Sequence, residues 1–266
     1  MNGPKFTLIT VTLNNLNDLI KTLTSLKSQV YDNYEIVIID GGSSDGTRDF
    51  LESGNSLVQK TRWISESDNG VYDAMNKGAH LAKGEIINFI NSGDTLADDF
   101  VLSRVSLSFL DHKWKWAYGI SKLMTVDGVF SRLLLQIPFS SRRLALGLSF
   151  APHQSTFYCL DFFKQVGKFE DIYSFASDQE FAIRASKLYA PHVEIDIWAN
   201  FVAGGLHSKT TYWNRELLYH EIRKNNRDLV LESNSIDVLY SISMGTYREM
   251  REFLNRLLAR KSYRDL

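Results

Sequence analysis

Apolar positions along the first hundred residues follow two alternating rhythms. Phe6-Thr7-Leu8-Ile9-Thr10-Val11-Thr12 is β-branched and apolar enough to predict a buried strand. Leu16, Leu19, Ile20, Leu23 and Leu26 then recur at helical spacing and predict one face of a helix. Glu35-Ile36-Val37-Ile38-Ile39-Asp40 is nearly all apolar, the mark of a strand covered on both faces and hence of a parallel sheet between helices. Gly41-Gly42-Ser43-Ser44-Asp45-Gly46 breaks it, and a short helix is predicted near Thr47. Trp63-Ile64-Ser65 predicts a third strand, Val71 to Lys83 a helix stopped by Gly84, and Glu85 to Ile90 a fourth strand entering Asn91-Ser92-Gly93-Asp94. Repeated β-α-β units of this length define a doubly wound α/β layer.

The second half reads differently. Lys122 to Val126 and Val129 to Leu133 flank Asp127-Gly128, the signal of a two-residue type I′ hairpin. An apolar but basic stretch follows to Phe150, with Arg132, Arg142 and Arg143 in or beside it, and reads as a surface loop packing its leucines. Further strands are predicted at Gln154 to Tyr158, Val193 to Ile197 and Asn200 to Val202, with a helix from Ser177. The last fifty residues are helical in pattern. Met250, Phe253, Leu254, Leu257 and Leu258 share one face there, and Arg248, Arg251, Arg256, Arg260, Lys261 and Arg264 decorate the rest. Such a helix can pack on the core, on a second copy of the chain, or on an anionic membrane surface. With no repeat and no linker, the pattern predicts one compact domain over 1–208 and a helical extension over 209–266.

Composition narrows the class. At 266 residues, 44% hydrophobic and 23% charged, the chain can bury a sizeable core, which excludes disordered, collagen-like and coiled-coil classes. Thirty Lys+Arg against 31 Asp+Glu leave a net charge of −1, so no global field draws it to nucleic acid. Cys159 is the only cysteine, which precludes an intramolecular disulfide or a thiolate metal cluster and favours a reducing compartment. The apolar run Phe6 to Val11 is too short for a signal peptide, and no run reaches the ~18 apolar residues of a membrane span. The expected localisation is cytoplasmic.

In open α/β sheets ligands bind beyond the carboxyl ends of the strands. Four segments bring carboxylates or amides there: Thr12-Leu13-Asn14, Asp40-Gly41-Gly42, Ser65-Glu66-Ser67-Asp68 and Asn91-Ser92-Gly93-Asp94. Turn chemistry explains any one of them, but four along one edge point to a site. A P-loop, a G-x-G-x-x-G fingerprint after the first strand, H-E-x-x-H and G-x-S-x-G are all missing.

Thr10-Val11-Thr12-Leu13-Asn14-Asn15, the run Ser25 to Gln29, and Ile38 to Thr47 resemble the N-terminal half of the family 2 glycosyltransferases, inverting enzymes of GT-A fold. Ser65 to Gly78, Asn91-Ser92-Gly93-Asp94, His153-Gln154 and Gly204-Gly205 are similar to its bacterial exopolysaccharide branch, the colanic-acid enzymes in particular. The resemblance implies a GT-A domain: a Rossmann-like, mostly parallel sheet between helices, with a small antiparallel second sheet. Residues 1–100 would form the nucleotide-sugar half and 101–208 the acceptor half, with the helical tail contacting membrane or a second subunit.

It also implies roles. Asp40 would accept from the nucleobase, with Thr12, Asn14, Asp68 and Lys77 completing the donor nucleotide site. Asp94 would stand for the second aspartate of a metal-binding D-x-D, although Gly93 precedes it where relatives often carry Asp; His207 is the candidate second ligand. The cofactor would be Mn²⁺ or Mg²⁺, which stabilises charge on the departing diphosphate. Asp178 falls at the position of the family's catalytic aspartate and would take the acceptor's proton; as local chemistry, Ser177-Asp178-Gln179-Glu180 also spells a helix capping box. His153 and Gln154 would lie on the acceptor side. The implied reaction moves a sugar from a nucleotide diphosphate, UDP by preference, to a carbohydrate acceptor that is lipid-linked, in surface polysaccharide synthesis. Two other readings remain: a degenerate homologue that binds without turnover, favoured by Gly93 and opposed by Asp94 and Asp178, and a sugar-nucleotide nucleotidyltransferase, opposed by the lack of a Gly-rich basic loop after the first strand.

Overall fold

The structure, a computed structural model, describes residues 3–59, 61–204 and 210–262, with side chains of the last helix described to residue 254. It divides into two compact units, residues 1–139 with 150–204, and 140–149 with 205–266.

The first unit is built on β1 (Phe6–Thr12), α1 (Leu16–Lys27), β2 (Tyr34–Asp40), α2 (Thr47–Glu52), β3 (Thr61–Ser65), α3 (Val71–Leu81) and β4 (Ile86–Phe89). It continues through β5 (Thr95–Leu96), α4 (Val101–His112), β6 (Trp116–Met124) and β7 (Phe130–Leu134). Among the described residues these strands, with β8 (Thr156–Cys159) and β9 (His192–Val202), make one nine-stranded sheet in the order β3-β2-β1-β4-β8-β6-β9-β5, β7 pairing with β6. β1, β2, β3 and β4 are parallel, as the α/β pattern requires, and β8 enters antiparallel between β4 and β6. This is the expected mostly parallel α/β fold, with the antiparallel strands bonded into the same sheet.

Burial explains the order. Every residue of β1 is buried, and Phe6, Leu8, Leu19, Leu23, Ile36, Ile38, Ile86, Phe157 and Trp198 pack in one core. A second layer joins β8 to α6 (Leu160–Val166) and α7 (Ser177–Leu188), where Phe163 and Phe181 stack at 4.6 Å and both pack against Phe169.

Several boundaries depart from the pattern-based expectation. The hairpin forms, but only Gly128 takes positive φ (+78°). Its N–H donates to Thr125 O (2.9 Å) and Thr125 N–H to Val129 O (2.8 Å), which is a type I turn with a bulge and not type I′. The two strands predicted between Val193 and Val202 are one, and β8 starts only at Thr156, because His153–Ser155 form a 3-10 turn.

Residues 140–149 group with α8 (Tyr212–Asn226) and α9 (Asn234–Ser262) in the second unit. Ser140 caps the short α5 (Ser141–Ala145) by accepting from Arg143 N. Tyr240 Oη and Arg248 Nη2 donate to Leu146 O (3.3 Å) and Gly147 O (2.9 Å), and Leu144 is buried. The core of this unit is ionic. Asp237, fully buried, accepts from Arg223 Nε (2.8 Å) and Nη2 (2.9 Å), from His220 Nδ1 and from Val230 N (2.9 Å). Burial alone would raise its carboxyl, but these donors hold it below the ordinary carboxylate range.

Breaking such a pair strands the equally buried Arg223 charge, so Asp237→Ala should cost about 3–5 kcal/mol, read as a lowered thermal midpoint of helical circular dichroism. Because the folded-state value is depressed, the pair's contribution is present at neutral pH and disappears as pH falls through that depressed value.

Candidate active site

The carboxyl edge of the sheet is assembled from stitched loops. Thr12 and Asp40 lie opposite each other in register, and Gly41 N donates to Thr12 O (2.9 Å). Beyond them Ser44 N donates to Asn14 Oδ1 (2.8 Å), Asn14 N to Ser43 Oγ (2.7 Å) and Leu16 N to Asp45 Oδ2 (2.9 Å). Asn14 takes φ +50°, a left-handed conformation that Asn tolerates better than most residues. It clips the loops after β1 and β2 together. The Thr12 hydroxyl is buried without a partner among the described residues.

Asp40 is fully buried, and its carboxylate accepts from Ser43 N (3.1 Å), Ser43 Oγ and Ser65 Oγ (2.6 Å), which ties the turn after β2 to the end of β3. Asp68 is placed differently. Its Oδ1 accepts from Gly70 N (2.9 Å), while Oδ2 lies over Gly41. A Cβ at position 41 would come within 2.6 Å of that oxygen and 3.4 Å of Leu13 Cδ1. The missing side chain is what makes room for the carboxylate. Lys77 secures this loop, its Nζ meeting Glu66 Oε1 (2.9 Å), Asp73 Oδ2 (3.3 Å) and Ser67 O (3.3 Å).

The other half of the edge turns on His153-Gln154. Gln154 Nε2 donates to Asp94 Oδ2 (2.9 Å), and Val202 N to Asp94 Oδ1 (2.9 Å). His153 Nδ1 meets Asp178 Oδ2 (3.1 Å), and its Nε2 lies 3.3 Å from Asn91 Nδ2. A neutral imidazole donating from Nδ1 satisfies both contacts. Asp178 Oδ1 also accepts from Tyr72 Oη (3.0 Å) and Gln179 N (2.9 Å). Neighbouring residues of one turn thus touch Asp94 and Asp178, and Tyr72, which follows Asp68 at the start of α3, ties the Asp68 loop to Asp178. His207 lies outside the described residues.

The two carboxylates are pushed in opposite directions. Burial drives Asp94 up to about 6. Burial acts on Asp178 too, but hydrogen bonds from His153 and Tyr72 outweigh it and hold Asp178 below its ordinary range. Opposed shifts of this kind divide labour between acid and base groups. Each Asp94 oxygen spends one acceptor position on its neutral donor and keeps another free, so a buried, uncompensated carboxylate fits a hard divalent cation. The backbone at Gly93 has φ +103°, which explains why no second carboxylate stands there.

Two features were not read from the sequence. Tyr72 entered only as part of the Ser65 to Gly78 segment, with no role of its own. The capping box does not form: the Ser177 hydroxyl donates to Glu170 O and Glu180 pairs with Arg184 (2.8 Å), leaving Asp178 to the site.

The fold is of the GT-A type. Residues 7–113 match the model of glycosyl transferase family 2. An uncharacterized glycosyltransferase of Mycobacterium tuberculosis is 32% identical over 198 residues, covering 71% of this chain and 72% of the relative. A PGL/p-HBAD biosynthesis glycosyltransferase of Mycobacterium bovis is 31% identical over 192 residues, covering 69% and 70%. The chain belongs to glycosyl transferase family 2 and is a glycosyltransferase. Among solved structures it resembles Staphylococcus aureus TarS 1–349 in complex with UDP-GlcNAc, with a TM-score of 0.64 and 19% identity over 82% of this chain and 65% of that one. It also resembles the Pyrobaculum calidifontis mannosyltransferase PcManGT in complex with GDP-Man and Mn²⁺, with a TM-score of 0.61 and 16% identity over 99% of this chain and 81% of that one.

The geometry makes a direct forecast. Removing the His153 donor while burial persists must raise Asp178, so His153→Ala should move the Asp178 titration to higher pH in carboxyl-resolved NMR. An unmoved titration would reject the coupling.

Proposed function

We propose that the protein transfers a sugar from a nucleoside diphosphate sugar to a hydroxyl of a glycan or lipid-linked acceptor with inversion at the anomeric carbon. The observation that carries this reading is the pair of opposed carboxylates, Asp94 and Asp178, on either side of one turn at the carboxyl edge. Asp178, ionised at neutral pH, accepts the acceptor's hydroxyl proton as the oxygen–carbon bond forms and the bond to the phosphate oxygen breaks. His153 and Tyr72 aim that carboxylate, and on this reading they border the acceptor. Asp94, with His207 as the resemblance implies, would hold Mn²⁺ or Mg²⁺. Such an ion stabilises the negative charge gathered on the leaving diphosphate.

On the donor side we assign the base-reading carboxylate to Asp68, with Asp40, Asn14 and Lys77 holding the loops and Thr12 lining the pocket. A carboxylate acceptor suits the N3–H of uracil, which makes UDP the preferred nucleotide. Among the described residues no helix is long and apolar enough to cross a membrane. Met250, Phe253 and Leu254 of α9 are exposed, and beside the basic residues of the tail they suit an anionic inner leaflet at the cytoplasmic face; a homodimer contact is the competing use of that face.

Thermal unfolding with UDP, GDP and dTDP, each with Mn²⁺, tests the donor reading; UDP should raise the midpoint most, by about 2.7 kcal/mol of added stability at a hundredfold excess over Kd. Gly41→Ala should keep the unliganded midpoint, since only the flexible end of Asp68 must move, yet lose most of the UDP response. A full response in that variant would remove Asp68 from the role.

Asp178→Asn tests the chemistry. Nucleotide binding should persist while turnover falls at least ~100-fold. Near-normal turnover would return Asp178 to a structural part.

A further inference from the structure

The edge of the sheet opposite the carboxyl ends carries a second cluster of ligating groups. α4 runs along β9 in the opposite direction, and the two meet in matched steps. Arg104 Nε pairs with Asp196 Oδ2 (2.6 Å), Ser108 Oγ donates to Glu194 Oε1 (2.6 Å), and the His112 ring stacks on His192 at 4.2 Å. Four residues of helix rise about 6 Å and two residues of strand about 6.6 Å, so the register holds over all three pairs. It delivers two imidazoles and a carboxylate to one place: one ligand atom from each of His112, His192 and Glu194 lies within 4.8 Å of the others.

We propose that His112, His192 and Glu194 bind a borderline divalent cation, zinc first among them, clamping the end of α4 to the start of β9. Around a tetrahedral ion with ligands at about 2.1 Å, donor atoms stand about 3.4 Å apart. His192 Nε2 and Glu194 Oε1 are already 2.8 Å apart. The remaining adjustment falls to His112, which is exposed at the helix end and whose ring already stacks on His192. Ser108 fixes the Glu194 carboxylate, the outer support that metal ligands need. Two imidazoles against one carboxylate select zinc, cobalt, nickel or copper over magnesium, calcium or manganese. This is not the catalytic ion: Glu194 and Val202, the neighbour of Asp94, are separated by eight steps of one strand, ~26 Å. The site is a structural clasp independent of the glycosyl-transfer reading.

Cobalt(II) added to the full chain without nucleotide reads it directly. We expect one equivalent to bind with the d–d absorption of a four- or five-coordinate ion, displaced by zinc and retained against excess magnesium. His112→Ala, at an exposed helix end, should weaken binding by more than ~10-fold with circular dichroism unchanged, and Glu194→Gln should do likewise. Asp94→Asn should leave the absorption intact. An absent band, a band that survives both His112→Ala and Glu194→Gln, or a band lost in Asp94→Asn would each overturn the proposal.

Discussion

One buried amide organises the candidate site at the sheet's carboxyl edge. Asn88 sits on the central strand β4 with no exposed surface, and its Nδ2 donates to Thr156 O (2.8 Å), Gln154 O (3.1 Å) and His153 O (3.5 Å). Buried backbone carbonyls must find donors, and these belong to two residues of the 3-10 turn, His153 and Gln154, and to Thr156 at the start of β8. Asn88 supplies a single donor group to all three and so fixes where His153 and Gln154 begin. From that point Gln154 reaches Asp94 and His153 reaches Asp178. The distance between the two carboxylates is therefore set by the core of the sheet and not by the loops that carry them.

This placement accounts for the opposite states of the two acids. Both are largely withdrawn from water, which by itself raises a carboxyl. Asp94 receives an amide and a peptide N–H, neutral donors too weak to offset burial. Asp178 receives an imidazole and a phenol, with a peptide N–H besides, and stays ionised. The Tyr72 hydroxyl is itself driven well above its ordinary range by burial, with the Asp178 charge adding to it, so it remains a donor. An ionised carboxylate and one raised to about 6 are then held on either side of one turn.

Much of this was legible in the chain. The strand and helix order to Asp94 followed from alternation of period, because buried parallel strands and amphipathic helices leave unmistakable patterns. Asp94, Asp178, His153 and Gln154 were each named, for separate roles, and hydrogen bonds link Gln154 to Asp94 and His153 to Asp178. Asp40 and Asp68 were both named, but the bonds from Ser43 and Ser65 that occupy the Asp40 carboxylate are not reported by local sequence. Asn88 was hidden inside an apolar run. The assignment of residues 140–149 to the helical unit was equally invisible, since it depends on Tyr240 and Arg248, about a hundred residues further along, capturing their carbonyls.

Gly93 draws these threads to one consequence. A second aspartate there would force an L side chain into φ +103°, a conformation costing on the order of 1–3 kcal/mol for residues other than glycine. The turn that aims Asp94 N at Asn91 O (2.9 Å) and lets the Thr22 hydroxyl receive Gly93 N (3.0 Å) thus excludes the carboxylate that a D-x-D would add. Asp18 lies nearest that space, its Oδ2 3.7 Å from where a Cβ would stand, but its Oδ1 is taken by Lys21 (2.7 Å). Asp94 then offers too few oxygens to fill the shell of a hard cation, so the oxygens of a diphosphate would have to complete it. On the proposed reading, metal and donor would for that reason bind in a single event.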